Sequence, residues 1–204
     1  CFRQGLLMTL HTLWPDSQTA VVPNASDGGA AGITTGTVLI FGAEGTVPSI
    51  HFLAPVTVGP GETWTVGLWV MIDNTSGTLL DSRSVLGATL TGGAWNTVDL
   101  NAPISVDHQH AYVASAWSSA GRYVATNGYF STSHGDPGMV YGPADGENIG
   151  TIVPWPSPIV SNGRFLDNAP AGFPNFSAGS TSYFVDAVWD DGAPSGFFDF
   201  FQEV

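Results

Sequence analysis

Asp107-His108-Gln109-His110 places two imidazoles at i and i+2. On a strand both would share one face, as a metal site requires. His11, His51 and His134 are scattered and mark no third ligand. A solvated turn entering the next strand is therefore the favoured reading, and no metal is expected. Asp136, Asp145 and Glu147 sit in a Gly- and Pro-rich stretch, and Asp190-Asp191 follows a strand-like segment. Oxygen-rich loops can hold calcium, but neither EF-hand nor nonapeptide spacing is present, which favours ordinary acidic loops. There is no Gly-x-Ser-x-Gly elbow, His-Glu-x-x-His pair, phosphate loop or cysteine pair. A glycosidase would need two carboxylates facing one cleft, and no pair is marked. The expectation is a non-enzymatic protein without a cofactor.

Aromatic residues offer binding chemistry instead. Seven tryptophans and five tyrosines could include a sugar-stacking platform. Trp64, Trp69, Trp117 and Trp189 fall in strand-like segments and are assigned to the core. Trp155, flanked by Pro154 and Pro156, is the candidate exposed contact for a glycan or a partner, with Tyr141 in the same loop. A loop-anchoring role for Trp155 is the other reading. Arg122 and Asp186 each need charge compensation and are expected to pair, or to share one polar network, inside the sandwich. Phe197, Phe198, Phe200 and Phe201 make an end too apolar to stay uncovered, and are assigned to assembly contacts.

Strands must position these residues. Apolar and small or polar residues alternate over Thr37–Phe41, Ser49–Leu53, Thr63–Ile72, Leu79–Arg83, Thr97–Leu100, Ala111–Trp117, Arg122–Thr126 and Ser182–Trp189. Gly59-Pro60-Gly61, Asp73 to Gly77, Thr91-Gly92-Gly93 and Ala120-Gly121 supply turn chemistry between them. This spacing predicts an all-β fold, an antiparallel β-sandwich or jelly roll. Parity puts Val66, Leu68 and Val70 on one face of their strand and Trp69 and Met71 on the other. Val113, Ser115 and Trp117 likewise oppose Tyr112, Ala114 and Ala116. Ala111–Trp117 and Tyr183–Trp189 are apolar on both faces and are expected to be central. The predicted organisation is an N-terminal arm and loop over 1–35, a sandwich over 36–191 and an apolar tail over 192–204.

The 204 residues carry four arginines, no lysine and a net charge of −13. A nucleic-acid binder needs a cationic footprint, and this chain has none. Attraction to an anionic membrane is excluded on the same ground. No apolar run approaches the length of a membrane-spanning helix. Cys1 is the single cysteine, so no intrachain disulfide can form.

Several motifs also stand in a familiar order. Gly67-Leu68-Trp69, Thr78-Leu79-Leu80, Gly93-Ala94-Trp95 and Ala102-Pro103-Ile104-Ser105-Val106 are followed by Ala111 to Phe130, Asn162-Gly163, Phe173-Pro174 and Tyr183 to Trp189. Over roughly Gly36 to Asp190 the chain resembles the module called domain of unknown function 4082. The resemblance implies a β-sandwich of bacterial surface proteins and of structural proteins of phages that infect actinobacteria. Ile50-His51-Phe52-Leu53 departs from a more basic family strand, and Tyr141 to Pro158 reads as a longer, proline-rich insertion.

A start-like Met8, the lack of a visible secretion signal and the apolar ends favour a virion protein. The expectation is a capsid decoration or minor tail component, homo-oligomeric and docked on other capsid or tail proteins. The alternative is a carbohydrate-binding or adhesion module of a bacterial surface or secreted protein, with a host surface glycan as ligand.

Overall fold

A computed structural model describes residues 8–27, 31–151, 159 and 161–194. Fourteen strands are present among them. They are β1 (Met8–His11), β2 (Val22–Ser26), β3 (Ile33–Phe41), β4 (Gly45–Leu53), β5 (Thr63–Met71), β6 (Gly77–Leu86) and β7 (Trp95–Val106). Then follow β8 (Tyr112–Ser118), β9 (Arg122–Ala125), β10 (His134–Gly135), β11 (Val140–Gly142), β12 (Gly163–Asp167), β13 (Phe176–Ser177) and β14 (Val185–Pro194). Strand takes 52% of the described residues and helix 5%. That is far below the third in helix of an ordinary domain, and it bears out the all-β reading.

The strands form an antiparallel sandwich. One sheet runs β1-β14-β4-β7, and the larger runs β10-β11-β3-β8-β5-β6, with β12 also on β3 and β13 on β12. β2 and β9 pair separately. β8 and β14 are flanked on both sides, as their two apolar faces require.

Alternation on each strand sorts its residues between layers. Leu39, Phe41, Trp64, Val66, Leu68, Tyr112, Ala114 and Ala116 point inward from the larger sheet. They meet Ile50, Phe52, Val185, Ala187 and Trp189 of the smaller one. Phe52 stacks on Trp64 and Phe41 on Trp189. The opposite face of the larger sheet carries a second cluster, in which Val38, Ile40 and Val113 lie under Tyr141, Ile149 and Ile159. The stretch after β11 thus covers part of the sheet's outer face.

Asn162 explains how β3 serves two short neighbours. β11 pairs with Phe41 and Ile40, and β12 takes over at Thr37. Val38 falls in the gap between them. The buried Asn162 amide accepts from Val38 N at 2.7 Å and donates to Val38 O at 3.1 Å, mimicking a strand partner. A Cβ at Gly163 would strike the Thr181 backbone, so the next position requires glycine.

The N-terminal region differs from the arm expected over 1–35 in its described part. β1 pairs with β14, Leu10 opposite Asp190 and His11 opposite Trp189. Leu13 and Trp14 enter the main core, and Trp14 meets Tyr129, Phe130 and Phe184 through tilted or edge-on ring contacts. Leu13 and Trp14 are thus spent on the chain's own core, while Leu10 stays exposed. β3 likewise begins at Ile33, before the boundary expected at 36.

Candidate functional site

The outer face of the larger sheet is only partly covered. Beyond the second cluster it opens into a slot between Trp69 of β5 and Trp117 of β8. Trp117 sits opposite Thr65 in the ladder, four residues from Trp69 along β5, or about 13 Å of strand. Gly67 and Ser115, opposite each other, form the floor between the indoles. Leu79 closes one side, Ala171 and Gly172 form a lip, and Thr34, Thr65 and Ser82 bring hydroxyls to the rim.

Three local features create this space. Gly67 lies in the interior of a central strand, where glycine weakens pairing and often marks the close approach of another group. A β-bulge follows: β6 shifts register between Leu68 and Trp69, leaving Leu80 as the extra residue. Leu80 packs against the main core, and Leu79 stands beside Trp69 with 42% of its surface exposed. Finally, residues 168–175 cross the sheet as a strap. Pro174 lies against Gly36, where a Cβ would come within 3.0 Å of the ring.

The polar atoms within the slot are already bonded. Trp69 Nε1 donates to Ser115 Oγ at 2.9 Å, and Trp117 Nε1 donates to Ala169 O at 2.9 Å. Ser115 Oγ in turn donates to Gly67 O at 3.3 Å. Two half-buried indoles line the slot. No charged side chain lines the slot.

Arg164 fixes the strap. It is 2% exposed. Its Nε donates to Pro174 O at 3.0 Å, Nη1 to Ser161 O at 3.2 Å, and Nη2 to Asn74 O in the β5–β6 turn. Its guanidinium carbon lies 5.6 Å from the Phe173 ring centre, and Phe173 meets Trp69 edge-on at 5.7 Å. Burial lowers its pKa to about 10 against the attraction of Asp73 and Asp145. No described carboxylate forms an ion pair with it.

The residues singled out by sequence are distributed otherwise. Tyr141 is buried and donates its hydroxyl to Glu147 Oε1 at 2.5 Å, so it offers no contact surface. Trp155 and Phe197, Phe198, Phe200 and Phe201 lie outside the described residues. Arg122 and Asp186 do not pair. Arg122 Nε binds Glu62 Oε1 at 2.7 Å, because β9 leaves the sandwich to pair with β2. Asp186 is fully buried and accepts from Leu13 N at 2.6 Å, Trp14 N at 3.1 Å and Ala187 N at 2.7 Å. Burial raises its pKa to about 7, with the three amides opposing.

His110 Nδ1 lies 2.7 Å from Asp107 Oδ1, and His108 is exposed. Among the described residues no three potential ligands converge as a metal site. Asp136, Asp145 and Glu147 each accept backbone amides, from Gly138, Asn162 and Ala144. Trp69 and Trp117, assigned to the core by sequence, instead carry the outer slot. Their shared parity opposite Leu68 and Ala116 was the available signal.

A family profile described as a domain of unknown function (DUF4082) matches residues 19–185. No curated protein matches the chain. Among solved structures, a clostridial cysteine protease after propeptide cleavage aligns with a TM-score of 0.48 and 13% identity. The alignment covers 89% of this chain and 40% of that one.

Proposed function

The chain belongs to the DUF4082 family, and from that premise we propose that it is a non-catalytic glycan-binding module whose ligand enters the Trp69–Trp117 slot. The observation that carries this reading is the pair of half-buried indoles on one uncharged outer face, with hydroxyls at the rim. Sugars carry apolar C–H and methyl groups that pack on aromatic surfaces and hydroxyls that bond a polar rim. A peptide that adds as a strand is disfavoured because that mode needs free backbone partners at a sheet edge. The slot lies over β3, β8 and β5, each hydrogen-bonded on both sides.

The virion placement expected from the sequence rests on ends outside the described residues. The slot is indifferent to it, since such a module serves equally on a particle or on a bacterial surface.

The test is a glycan array probed with the labelled chain, followed by titration of the best ligand. Trp117→Ala is expected to weaken binding at least ten-fold, about 1.4 kcal/mol, because it removes a stacking wall. Trp69→Ala should do the same. Circular dichroism must show both variants folded. Unchanged affinity in both, or binding to no glycan at all, would sink the reading.

A further inference from the structure

We propose that the slot selects N-acetylated sugars by taking the acetamido group between Trp69 and Trp117, an inference that rests on the glycan-binding reading. The free space is about 50 Å³. A single water needs about 10–15 Å³ of such space. The slot therefore holds about four water-sized volumes, room for a small substituent such as an acetamido group but not for a whole pyranose ring. The acetamido methyl would lie between the indoles over Gly67, where no N–H or O–H proton is left for a ligand hydroxyl to accept. Trp69 Nε1, Trp117 Nε1 and the Ser115 hydroxyl proton are all committed within the protein. A hydroxyl pushed into that floor would lose its water and recover at most one bond, to Ser115 Oγ, which is how a site rejects the parent sugar. The amide N–H and C=O would remain at the mouth, beside the hydroxyls of Thr65 and Ser82. An uncharged lining suits this neutral substituent.

Gly67 is the selecting residue. A Cβ there would lie 3.3 Å from Ser115 Oγ, 3.3 Å from Trp69 Nε1 and 3.4 Å from Leu79 Cδ1. Such a methyl fits the folded sheet with only slight adjustment, yet it occupies the place assigned to the ligand's methyl. The Gly67→Ala chain should fold at least as well, since alanine is the less flexible residue in an extended strand.

The experiment compares N-acetylglucosamine with glucose, and L-rhamnose with L-mannose, by following the indole N–H resonances of Trp69 and Trp117. The expected result is at least ten-fold tighter binding of N-acetylglucosamine than of glucose, in the range found for small apolar groups in a fitted pocket. Gly67→Ala should erase that preference and retain the melting temperature. Equal binding of the first pair, or its persistence in Gly67→Ala, would overturn the inference while loss of binding in Trp117→Ala still upholds the glycan reading. A preference confined to the second pair would assign the slot to a 6-deoxy methyl and overturn it as well. If neither indole responds to any of these sugars, and the array is also blank, both readings fail together.

Discussion

Asp186→Ala should destabilise the chain by about 3–5 kcal/mol, the sum of two stranded amides and the lost hydrogen bonds to its carboxyl. Leu13 N and Trp14 N are buried and share the Asp186 Oδ2 oxygen. No water can reach them without opening the segment that carries Trp14. That segment puts an indole only 2% exposed against Phe130 and Phe184, so local opening would also uncover the core. For a chain of this size each kcal/mol lowers the melting temperature by roughly 2–4 °C. The expected fall is thus roughly 6–20 °C, read by calorimetry or chemical denaturation. A fall of under about 1 kcal/mol, the typical worth of one neutral hydrogen bond, would show that Asp186 does not hold the N-terminal segment.

The same residue sets a pH dependence of defined sign. Its folded pKa is raised to about 7 by burial. Between about pH 4, where an unfolded aspartate titrates, and pH 7, the folded chain holds a proton that the unfolded chain has released. Its contribution is therefore fully present below about pH 4 and is lost as pH rises through 7. His51 acts in the opposite direction: its burial lowers its pKa, so its contribution is present above about pH 6.5 and lost on acidification. Asp73, Asp81 and Asp107 titrate below the usual carboxylate range, so their contributions fade only in more acid solution. The difference in stability between the natural chain and Asp186→Asn isolates the first effect. That difference should shrink steadily from pH 4.5 to pH 7.5, and a difference constant across this range would refute the assignment.

Strand parity made much of this fold legible, because a side chain on an extended backbone has only two directions in which to point. It separated Trp69 from Leu68 and Trp117 from Ala116 correctly. It could not say which face was outside. β3, β5 and β8 are apolar on both faces because the stretch around Ile149 and Ile159 covers one end of the outer face, and nothing local marks where that cover stops. The bulge at Leu80 was equally silent, since it becomes visible only when β6 is set against β5. Asn162 could be noticed as a motif, but its work depends on a break between two strands that are distant in sequence. The pairing expected between Arg122 and Asp186 failed for a related reason. Charge balance can be met by backbone amides as well as by an opposite side chain, and Leu13, Trp14 and Ala187 supply the amides.

Arg164 had a signal that went unused: with four arginines and no lysine, each cation in this chain is informative. Arg164→Met is expected to lower stability by about 2–4 kcal/mol, since two buried carbonyls and a half-buried one lose this donor while the cost of burying a charge is removed. Stranded carbonyls are less costly than stranded amides, which places this change below Asp186→Ala. Its larger consequence falls on the slot. Without the guanidinium, nothing described ties Pro174 O to Asn74 O and Ser161 O at once, so the strap loses its anchor across the sheet. Phe173 then no longer steadies Trp69, and Ala171 and Gly172 cease to form a lip. Ligand affinity should fall at least ten-fold even at temperatures where the sandwich is fully folded. Arg164→Lys is the decisive control. It keeps the charge and most of the volume but replaces the planar fork with a single ammonium that cannot span three carbonyls. We expect Arg164→Lys to resemble Arg164→Met in ligand affinity and in protease cleavage within 168–175. Near-normal binding by the lysine variant would mean that charge alone is needed at this position and that the fork does not position the strap.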